Sequence, residues 1–573
     1  MPRPDDDDLP PNHGTGADPS VTPSPGLARD QTGEPDRPLT TRGLARSAGV
    51  IGIATMGSRL LGVARDVLLA LFFGATDVMD AYIVAFRVPN LLRDLFAEGA
   101  MSAAFVPVFT RYLTGKSRIE AWRLGNIVLS SLLVITGALV VAGMFFAEPL
   151  VDLIVAGPFR AEPDKFQLTV LLARVMLPFL VLVALAAACM GMLNSLRRFF
   201  VPALSPAMFN VGTIVTMLAL VPLFVWLGVR PIMAAALGTL VGGLGQIAIQ
   251  WPLLRREGFR YRFMLDWRHE GLREVGILML PAVVGLAAVE VNVLVNQYLA
   301  TNEATGTVSW LQYAFRLMYL PIGLFGVSIA TAVLPSISRQ AEKADFAAIR
   351  ETLSRGLRMM LMLNVPAMAG LIVLAVPIVE LILEHGRFAR ADTIATAAAV
   401  VFYAPGLVGY SAVKITAPTF YALRESRVPV TVSVASMLLN IVLNVTLVRV
   451  LGFRGLALGT AIASIANAVA LLWLLRRRIG GLDGRRLGVA LVKIVAASAL
   501  MALAAAWLDA WLRGHLPGLS VLAKGVRLSV TIGLSIGVLV AAARALRIQE
   551  LDEAIRLLAG RLARRTGSGE RPA

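Results

Sequence analysis

The chain has one cysteine, Cys189, and four histidines among 573 residues, and only 16% of its residues are charged. A single cysteine excludes an intramolecular disulfide, and its position in an apolar run indicates a small buried side chain. The histidines (His13, His269, His385 and His515) lie in the N-terminal tail or between apolar runs. These positions exclude a histidine metal site within a membrane, and we expect no metal and no cofactor.

Several catalytic and nucleotide-binding motifs are also missing. The chain has no Walker A loop, no GxGxxG after a strand and no HExxH. No pair of acids within the apolar runs has the spacing for metal-dependent phosphate-ester chemistry, which disfavours a membrane enzyme that acts on polyprenyl phosphates. A transporter rather than an enzyme is indicated. Its energy source would be the membrane potential, a monovalent cation gradient or the substrate gradient.

What the chain does have is apolar sequence: 57% of its residues are hydrophobic, in recurring runs of about 20 residues. In a bilayer such runs form helices, because every backbone polar group must be satisfied within the segment. We therefore predict an all-α polytopic membrane protein with about fourteen spans. The predicted spans are 48–72, 79–111, 124–147, 168–191, 200–226, 231–254, 275–299, 309–335, 352–377, 393–417, 428–449, 456–475, 487–508 and 526–545.

The formal net charge of +17 comes mostly from arginines in alternate loops. This is the positive-inside pattern, so membrane lipids rather than nucleic acid are the expected partners, and both termini are predicted to be cytoplasmic. Residues 1–42 are rich in Pro, Gly and Asp, and their composition predicts a disordered tail. Residues 547–573 form a basic tail, and we expect the basic sequence around its start to lie on anionic lipid.

An internal repeat divides the chain. Residues 85–111 resemble residues 314–339, and residues 196–202 resemble 423–429, both at an offset of about 228 residues. Six predicted spans separate the paired segments, so the two copies have parallel topology. We predict an N-lobe (43–270, six spans), a C-lobe (271–480, six spans) and two appended helices (481–546) around a central cavity. Duplicated lobes are the architecture of alternating-access carriers.

Charged side chains cluster inside a few predicted spans. A charge at the centre of a bilayer costs about 2.5–3.5 kcal/mol on insertion scales, so such residues face a partner or a wet cavity. Arginine dominates, and its planar fork holds phosphate oxygens bidentately. Pairing with nearby acids is the structural alternative, and we favour it for Arg87. The intramembrane candidates are Arg59, Arg65, Arg87, Arg93, Glu98, Glu290, Arg316 and Lys414.

A second, polar set could hold a small cation. Asn440 and Asn444 lie four residues apart on one helical face, and Thr460 lies on the next predicted span. Together with Glu290 they could form a cation site. Hydrogen bonds between packed helices are the alternative, and we favour them.

A series of motifs then occurs in order and resembles the MurJ (MviN) family of lipid II flippases, within the MOP exporter superfamily. The resemblance extends over about residues 45–545. Its most specific part is the run Ser58-Arg59-Leu60-Leu61-Gly62, Ala64-Arg65-Asp66, Asp80-Ala81-Tyr82, Pro89-Asn90-Leu91-Leu92-Arg93, Phe96-Ala97-Glu98-Gly99-Ala100 and Ala104-Phe105-Val106-Pro107-Val108.

The resemblance implies a V-shaped bundle of fourteen helices with a cationic cavity, in the bacterial cytoplasmic membrane. The implied substrate is lipid II, the undecaprenyl-pyrophosphate-linked peptidoglycan precursor, whose tail would lie along the appended helices. Cell-wall synthesis enzymes are conceivable partners. The functionally critical positions of the family match Arg59, Arg65, Asp80, Arg93 and Arg316, which we predict to bind substrate, with support from Arg87, Glu98, Glu290 and Lys414.

The chain departs from the family pattern at Asp94, Phe315, Tyr319 and Asn444. The family often has an arginine at the first of these positions and acids at the second and third, and some members have an acid at the fourth as part of a sodium site. The rival functions are a flippase for another polyprenyl-linked oligosaccharide and a MATE-like drug/cation antiporter. The antiporter would need an apolar or acidic cavity, and the excess of arginine argues against it.

Overall fold

The structure is a computed structural model, and it describes residues 41–94, 99–515 and 520–551. Most of the predicted N-terminal tail, the candidate Glu98 and residues 552–573 of the predicted basic tail lie outside these residues. The described chain is folded almost entirely into helices, which confirms the predicted all-α class.

The helices of the N-terminal half are α1 (Thr41–Phe73), α2 (Asp77–Arg93), α3 (Gly99–Gly115), α4 (Arg118–Phe145), α5 (Ala147–Ile154), α6 (Gly157–Arg160), α7 (Pro163–Met176), α8 (Phe179–Ser195), α9 (Phe200–Trp226) and α10 (Met233–Arg256). The C-terminal half contains α11 (Glu270–Thr301), α12 (Thr307–Pro321), a π-helical turn (Ile322–Gly326), α13 (Val327–Glu342), α14 (Phe346–Val373), α15 (Ala375–Leu383), α16 (Arg390–Tyr403), α17 (Gly406–Ala422), α18 (Arg427–Leu451), α19 (Phe453–Arg478), α20 (Gly484–His515) and α21 (Val521–Ala545).

Within the described residues, ten helices are long and apolar enough to cross a membrane, and the bent pair α16–α17 makes an eleventh. They match eleven of the predicted spans. The other three predicted spans fall on α1, on α2 with α3, and on α11, so the count of fourteen stays a prediction. The second predicted span was expected to bend or break; it falls on α2 and α3, and residues 95–98 between them lie outside the described residues, so this expectation stays a prediction.

The repeat is visible in the local structure of both lobes. Short breaks separate α4 from α5 at Phe146 and α14 from α15 at Leu374. Pro178 and Pro405, which each lack a backbone N–H, lie in the breaks between α7 and α8 and between α16 and α17. The loops after α8 and α17 turn through left-handed arginines, Arg197 (φ 60°) and Arg424 (φ 61°). The same sequence signals therefore produce the same breaks twice.

The apolar core differs between the two ends of the bundle. We call the end that carries loops 196–199, 257–269, 423–426 and 479–483 the basic side, and the other end the opposite side. On the opposite side one continuous cluster joins both lobes, with side chains such as Phe73, Phe159, Tyr313 and Phe388. Toward the basic side the core separates into two clusters, one in the N-lobe together with Val275 at the start of α11, and another in the C-lobe. The two lobes thus share one core at the opposite side and have separate cores toward the basic side, where, among the described residues, α11 alone of the C-lobe helices packs on the N-lobe cluster.

The appended helices pack on the C-lobe, α20 along α14 and α21 against α20 and α15. Ion pairs fix their ends on the opposite side: Lys524 Nζ lies 3.1 Å from Glu380 Oε1, and Arg527 Nε lies 3.7 Å from Asp509 Oδ1.

Helices α9 and α10 cross at glycines, and this contact predicts a stability effect. A Cβ on Gly242 would lie 2.5 Å from the carbonyl oxygen of Phe209, so Gly242→Ala must push the two backbones apart. We expect a lower unfolding temperature in detergent, from a cost of about 1–3 kcal/mol. Gly137→Ala is the control, because nothing lies within 4 Å of its Cβ position. Equal unfolding temperatures for the two variants would contradict the prediction.

Candidate functional site

A polar cavity lies between the lobes, in two adjoining chambers. The N-chamber (340 Å³) is walled by α1, α2, α8, α9, α10 and α12, and the C-chamber (710 Å³) by α1, α2, α11, α12, α16, α17 and α19. Residues Ile83, Arg87, Arg93, Gln312 and Arg316 line both chambers. The structure thus brings the predicted residues Arg59, Arg65, Arg87, Arg93 and Arg316 to the walls of one cavity.

Asp66 joins two of these arginines across the lobes. Arg65 Nη2 lies 3.1 Å from Asp66 Oδ1, and Arg316 Nη1, on α12, donates to Asp66 Oδ2 at 2.5 Å. Arg65 also lies over the ring of Phe209, 5.4 Å from its centroid. One carboxylate is shared by two guanidinium groups, so this part of the cavity keeps a positive charge.

A second group surrounds the end of α2. Arg93 Nη2 donates to Asp94 Oδ1 at 2.7 Å, and Arg87 Nε donates to Gln297 Oε1 on α11 at 3.0 Å. Glu290, which is buried on α11, is close enough to interact with Arg87, Arg93 and Asp94. Five arginines and three carboxylates therefore stand in and around the described part of the cavity, so cations are in excess.

Arg59 occupies a recess in the helix opposite it. Its guanidinium lies 5.9 Å from the ring centroid of Tyr319 and against Gly323, where a Cβ would fall 0.8 Å from Nη1. Gly323 belongs to the π-helical turn Ile322–Gly326, an irregularity common at functional sites. Arg59 Nη1 is buried and has no hydrogen-bond partner among the described residues.

Asp80 lies away from the cavity, on the opposite side, and 2% of its surface is exposed. Its carboxylate accepts hydrogen bonds from Gly306 N (2.7 Å), Ser309 N (3.0 Å) and Ser309 Oγ (2.6 Å). An N-lobe carboxylate therefore caps the N-terminus of the C-lobe helix α12, a position that favours negative charge.

Neighbouring groups extend this contact between the lobes. Lys165 Nζ lies 2.6 Å from Asp77 Oδ1 and 3.8 Å from Asp80 Oδ2, and Thr305 Oγ1 donates to Asp77 at 2.8 Å. Burial raises the pKa of Asp77, but the hydrogen bonds from Lys165 and Thr305 outweigh it, so the pKa of Asp77 is lowered. We call Asp77, Asp80, Lys165, Gly306 and Ser309 the opposite-side seal.

Of the remaining predicted residues, Thr460 lines the C-chamber, whereas Lys414, Asn440 and Asn444 line neither chamber. Lys414 is exposed on α17 and is not among the residues that line either chamber. Asn440, Asn444 and Thr460 come together with Asn296: Asn444 Nδ2 donates to Asn296 Oδ1 at 2.6 Å, and Asn440 Nδ2 to Thr460 Oγ1 at 3.4 Å. This cluster of amides and one hydroxyl contains no carboxylate.

Several site residues were missed as candidates. Asp66 was noted in the sequence only as a neighbour of Arg65, because its second partner is about 250 positions away. Gln297 and Gln312 gave no signal, since glutamines in apolar helices are commonly packing groups. Gly323 did have a sequence signal, because Pro321 followed by glycines within a span predicts a helix irregularity.

The shared carboxylate predicts a coupling between the lobes. Asp66→Asn leaves two arginines without their counter-charge, and we expect a loss of about 1–3 kcal/mol in the free energy of unfolding, measured by thermal unfolding. The double variant Asp66→Asn/Arg316→Gln should lose less than the sum of the single changes. The control is Glu351→Gln, which breaks the exposed pair with Arg355 and should change little. Additive losses would show that the bridge contributes nothing.

Comparisons with known proteins identify the family. A family profile described as "Lipid II flippase MurJ" matches residues 69–524. A probable lipid II flippase MurJ of Vibrio cholerae is 34% identical over 437 residues, 75% of this chain and 82% of that protein. The lipid II flippase MurJ of Burkholderia cenocepacia is 32% identical over 428 residues, 74% of this chain and 82% of that protein.

Solved structures of the same fold indicate the same family. A lipid II flippase MurJ in an inward closed conformation has a TM-score of 0.70 at 27% identity and covers 87% of this chain and 99% of that chain. An inward-facing MATE family multidrug transporter of the MOP superfamily, at 16% identity and TM-score 0.62, covers 76% of this chain and 99% of that chain and shares the fold. The extent of the profile match and the identity to these relatives place the chain in the MurJ family of lipid II flippases.

Proposed function

We infer that the protein flips lipid II from the inner to the outer leaflet of the bacterial cytoplasmic membrane, for cell-wall synthesis. The observation that carries this function is the arginine-lined cavity in which Arg65 and Arg316, from different lobes, share Asp66. A cavity with surplus guanidinium groups suits a pyrophosphate, because each fork can hold two phosphate oxygens. The protein would act as a transporter and not as a catalyst.

The transport cycle we propose is alternating access. The basic side is cytoplasmic by the positive-inside rule, so both termini are cytoplasmic and the side on which the lobes have separate cores faces the cytoplasm. Arg59, Arg65, Arg93 and Arg316 hold the pyrophosphate in the cavity, and the polyprenyl tail stays in lipid along α20 and α21. The opposite-side seal, with Asp80 at its centre, then opens to release the head group outward.

The membrane potential is the energy source we propose. The head group is anionic, and a potential that is negative inside favours its outward movement by about 2.3 kcal/mol per charge at 100 mV. The asparagine cluster around Asn444 offers no carboxylate to balance a bound cation, which makes a cation gradient the weaker choice. The same cationic cavity disfavours a drug/cation antiporter of the MATE type.

Arginine replacements test the substrate site. In a bacterium depleted of its own flippase, the parent chain should restore growth, whereas Arg59→Ala and Arg316→Ala should fail at equal membrane levels. Arg316→Lys, which keeps the charge and loses the fork, should rescue partially. Arg355→Ala, on the exposed surface of α14, is the control and should rescue fully. Full rescue by both alanine variants would refute an arginine-lined substrate site.

Removal of Asp80 tests the seal. We expect Asp80→Asn to weaken the cap on α12, because a neutral amide replaces the carboxylate, and so to raise access to the cavity from outside. A Gln312→Cys reporter in a Cys189→Ala background, labelled in intact cells with an impermeant maleimide, measures that access. Labelling of the reporter should increase severalfold.

The matched control for this labelling is Asp152→Asn, which breaks the pair with Arg160 within the N-lobe on the same side. Its labelling should equal that of the reporter alone. If Asp80→Asn also left the labelling unchanged, Asp80 would not hold the lobes together.

A further inference from the structure

The two chambers of the cavity differ in chemistry. Each chamber is lined by four arginines: Arg65, Arg87, Arg93 and Arg316 in the N-chamber, and Arg59, Arg87, Arg93 and Arg316 in the C-chamber. The C-chamber differs by a group of four aromatic side chains, Phe315, Tyr319, Tyr403 and Tyr410, and its lining also includes the amides of Asn292, Asn296 and Gln297. An anion needs only the arginines, so the second set serves another part of a ligand.

The aromatic side chains form one wall centred on Phe315. Tyr319 stacks on it with the ring centroids 5.9 Å apart, and Tyr403 and Tyr410 meet it edge-on at 5.6 and 6.2 Å. Phe315, Tyr319 and Tyr410 are each only partly buried, so they are accessible from the cavity. We call these four residues the aromatic wall.

Three buried polar atoms without partners belong to residues that line the same chamber. Gln297, which is 6% exposed, uses Oε1 to accept from Arg87, and its Nε2 is buried with no partner among the described residues. Asn292 Oδ1 and Arg59 Nη1 are also buried and have no hydrogen-bond partner among the described residues. A buried polar group without a partner is costly, so two donors and one acceptor in this chamber await a ligand or water.

An apolar surface beside unsatisfied amides matches the chemistry of a sugar. A pyranose ring presents C–H groups on its faces and hydroxyl or acetamido groups at its rim. A polyprenyl chain would leave the amides unpaired, and a phosphate would leave the aromatic wall uncovered. The chamber volume of 710 Å³ lies in the range of about 300–1,000 Å³ that accommodates ligands of this size.

We propose that the C-chamber is the carbohydrate subsite: a sugar ring of the lipid-linked substrate packs on the aromatic wall and hydrogen-bonds Asn292 and Gln297. This inference rests on the proposed function, with the pyrophosphate held beside it by the arginines around Asp66. The chamber thereby contributes to the choice among polyprenyl-pyrophosphate lipids, since a lipid without a sugar makes no contact with the aromatic wall or with Asn292 and Gln297.

Binding of two synthetic lipids to the full chain in nanodiscs tests the subsite. One is a short-chain polyprenyl pyrophosphate, and the other carries a disaccharide and no peptide on that pyrophosphate. The parent should bind the sugar-bearing lipid more tightly. Tyr410→Leu and Asn292→Leu should each lower the affinity for the sugar-bearing lipid by about three- to tenfold and leave the affinity for the bare pyrophosphate lipid unchanged. Tyr298→Leu, an exposed tyrosine of α11 outside the chambers, should change neither.

The other outcomes separate the two levels of inference. If the parent binds both lipids with equal affinity, the proposed function stands and the subsite is refuted. The subsite is also refuted if the Tyr410 and Asn292 variants bind both lipids more weakly, or if they bind both as tightly as the parent. If Tyr410→Leu does not fold, the result for Asn292→Leu is used alone. If the parent binds neither lipid, the proposed function fails and the subsite fails with it.

Discussion

The Asp66 carboxylate, held between Arg65 and Arg316, is the contact on which the cavity depends. Arginine cannot lose its charge, and hydrocarbon surrounds the bundle, so each guanidinium needs a partner or a wet space. One carboxylate shared by two arginines meets that need only in part. The remaining positive charge makes the cavity ready for an anion, and the bridge ties α1 to α12. A phosphate that took over Arg316 would therefore neutralise the site and loosen the link between the lobes at once.

Chain duplication explains where the lobes meet. The repeat aligns Arg87 with Arg316, and the same offset aligns Asp80 with Ser309, which are themselves hydrogen-bonded. The N-termini of α2 and α12 thus face each other across the pseudo-twofold axis on the opposite side. Two helix N-termini carry partial positive charges and would repel each other. The negative carboxylate of Asp80 lies between them and accepts hydrogen bonds from the start of α12. The repeat places the starts of α2 and α12 next to each other. The contact between them is stabilised because only α2 carries an acid, Asp80, at this position, and α12 carries Ser309.

Local signals in the sequence predicted much of this structure. Apolar runs predicted the all-helical class, the echo of Ala-Phe-Arg predicted the repeat, and arginines inside spans predicted the cavity wall, because insertion cost permits few other places for them. Contacts between distant residues could not be predicted in this way. Nothing near Asp80 indicates that its carboxylate caps a helix about 229 positions away, and nothing near Asp66 indicates Arg316. Asp80 was grouped with the substrate-binding arginines because it resembles a family position, whereas its contacts here join the lobes.

The continuous core on the opposite side sets an energetic condition on transport. To open that side, the lobes must separate a shared apolar cluster and expose the cap on α12, so opening costs free energy that substrate binding or another driving force must supply. A ligand shifts such an equilibrium only by its difference in affinity for the two arrangements, and a change from 1:99 to 99:1 needs about 5.5 kcal/mol. Binding that is equally strong in both arrangements would therefore trap substrate without moving it. Since Asp66 links α1 to α12 in this arrangement, competition between substrate and Asp66 for Arg316 would supply one such difference, and the membrane potential, the energy source we propose, would add to it.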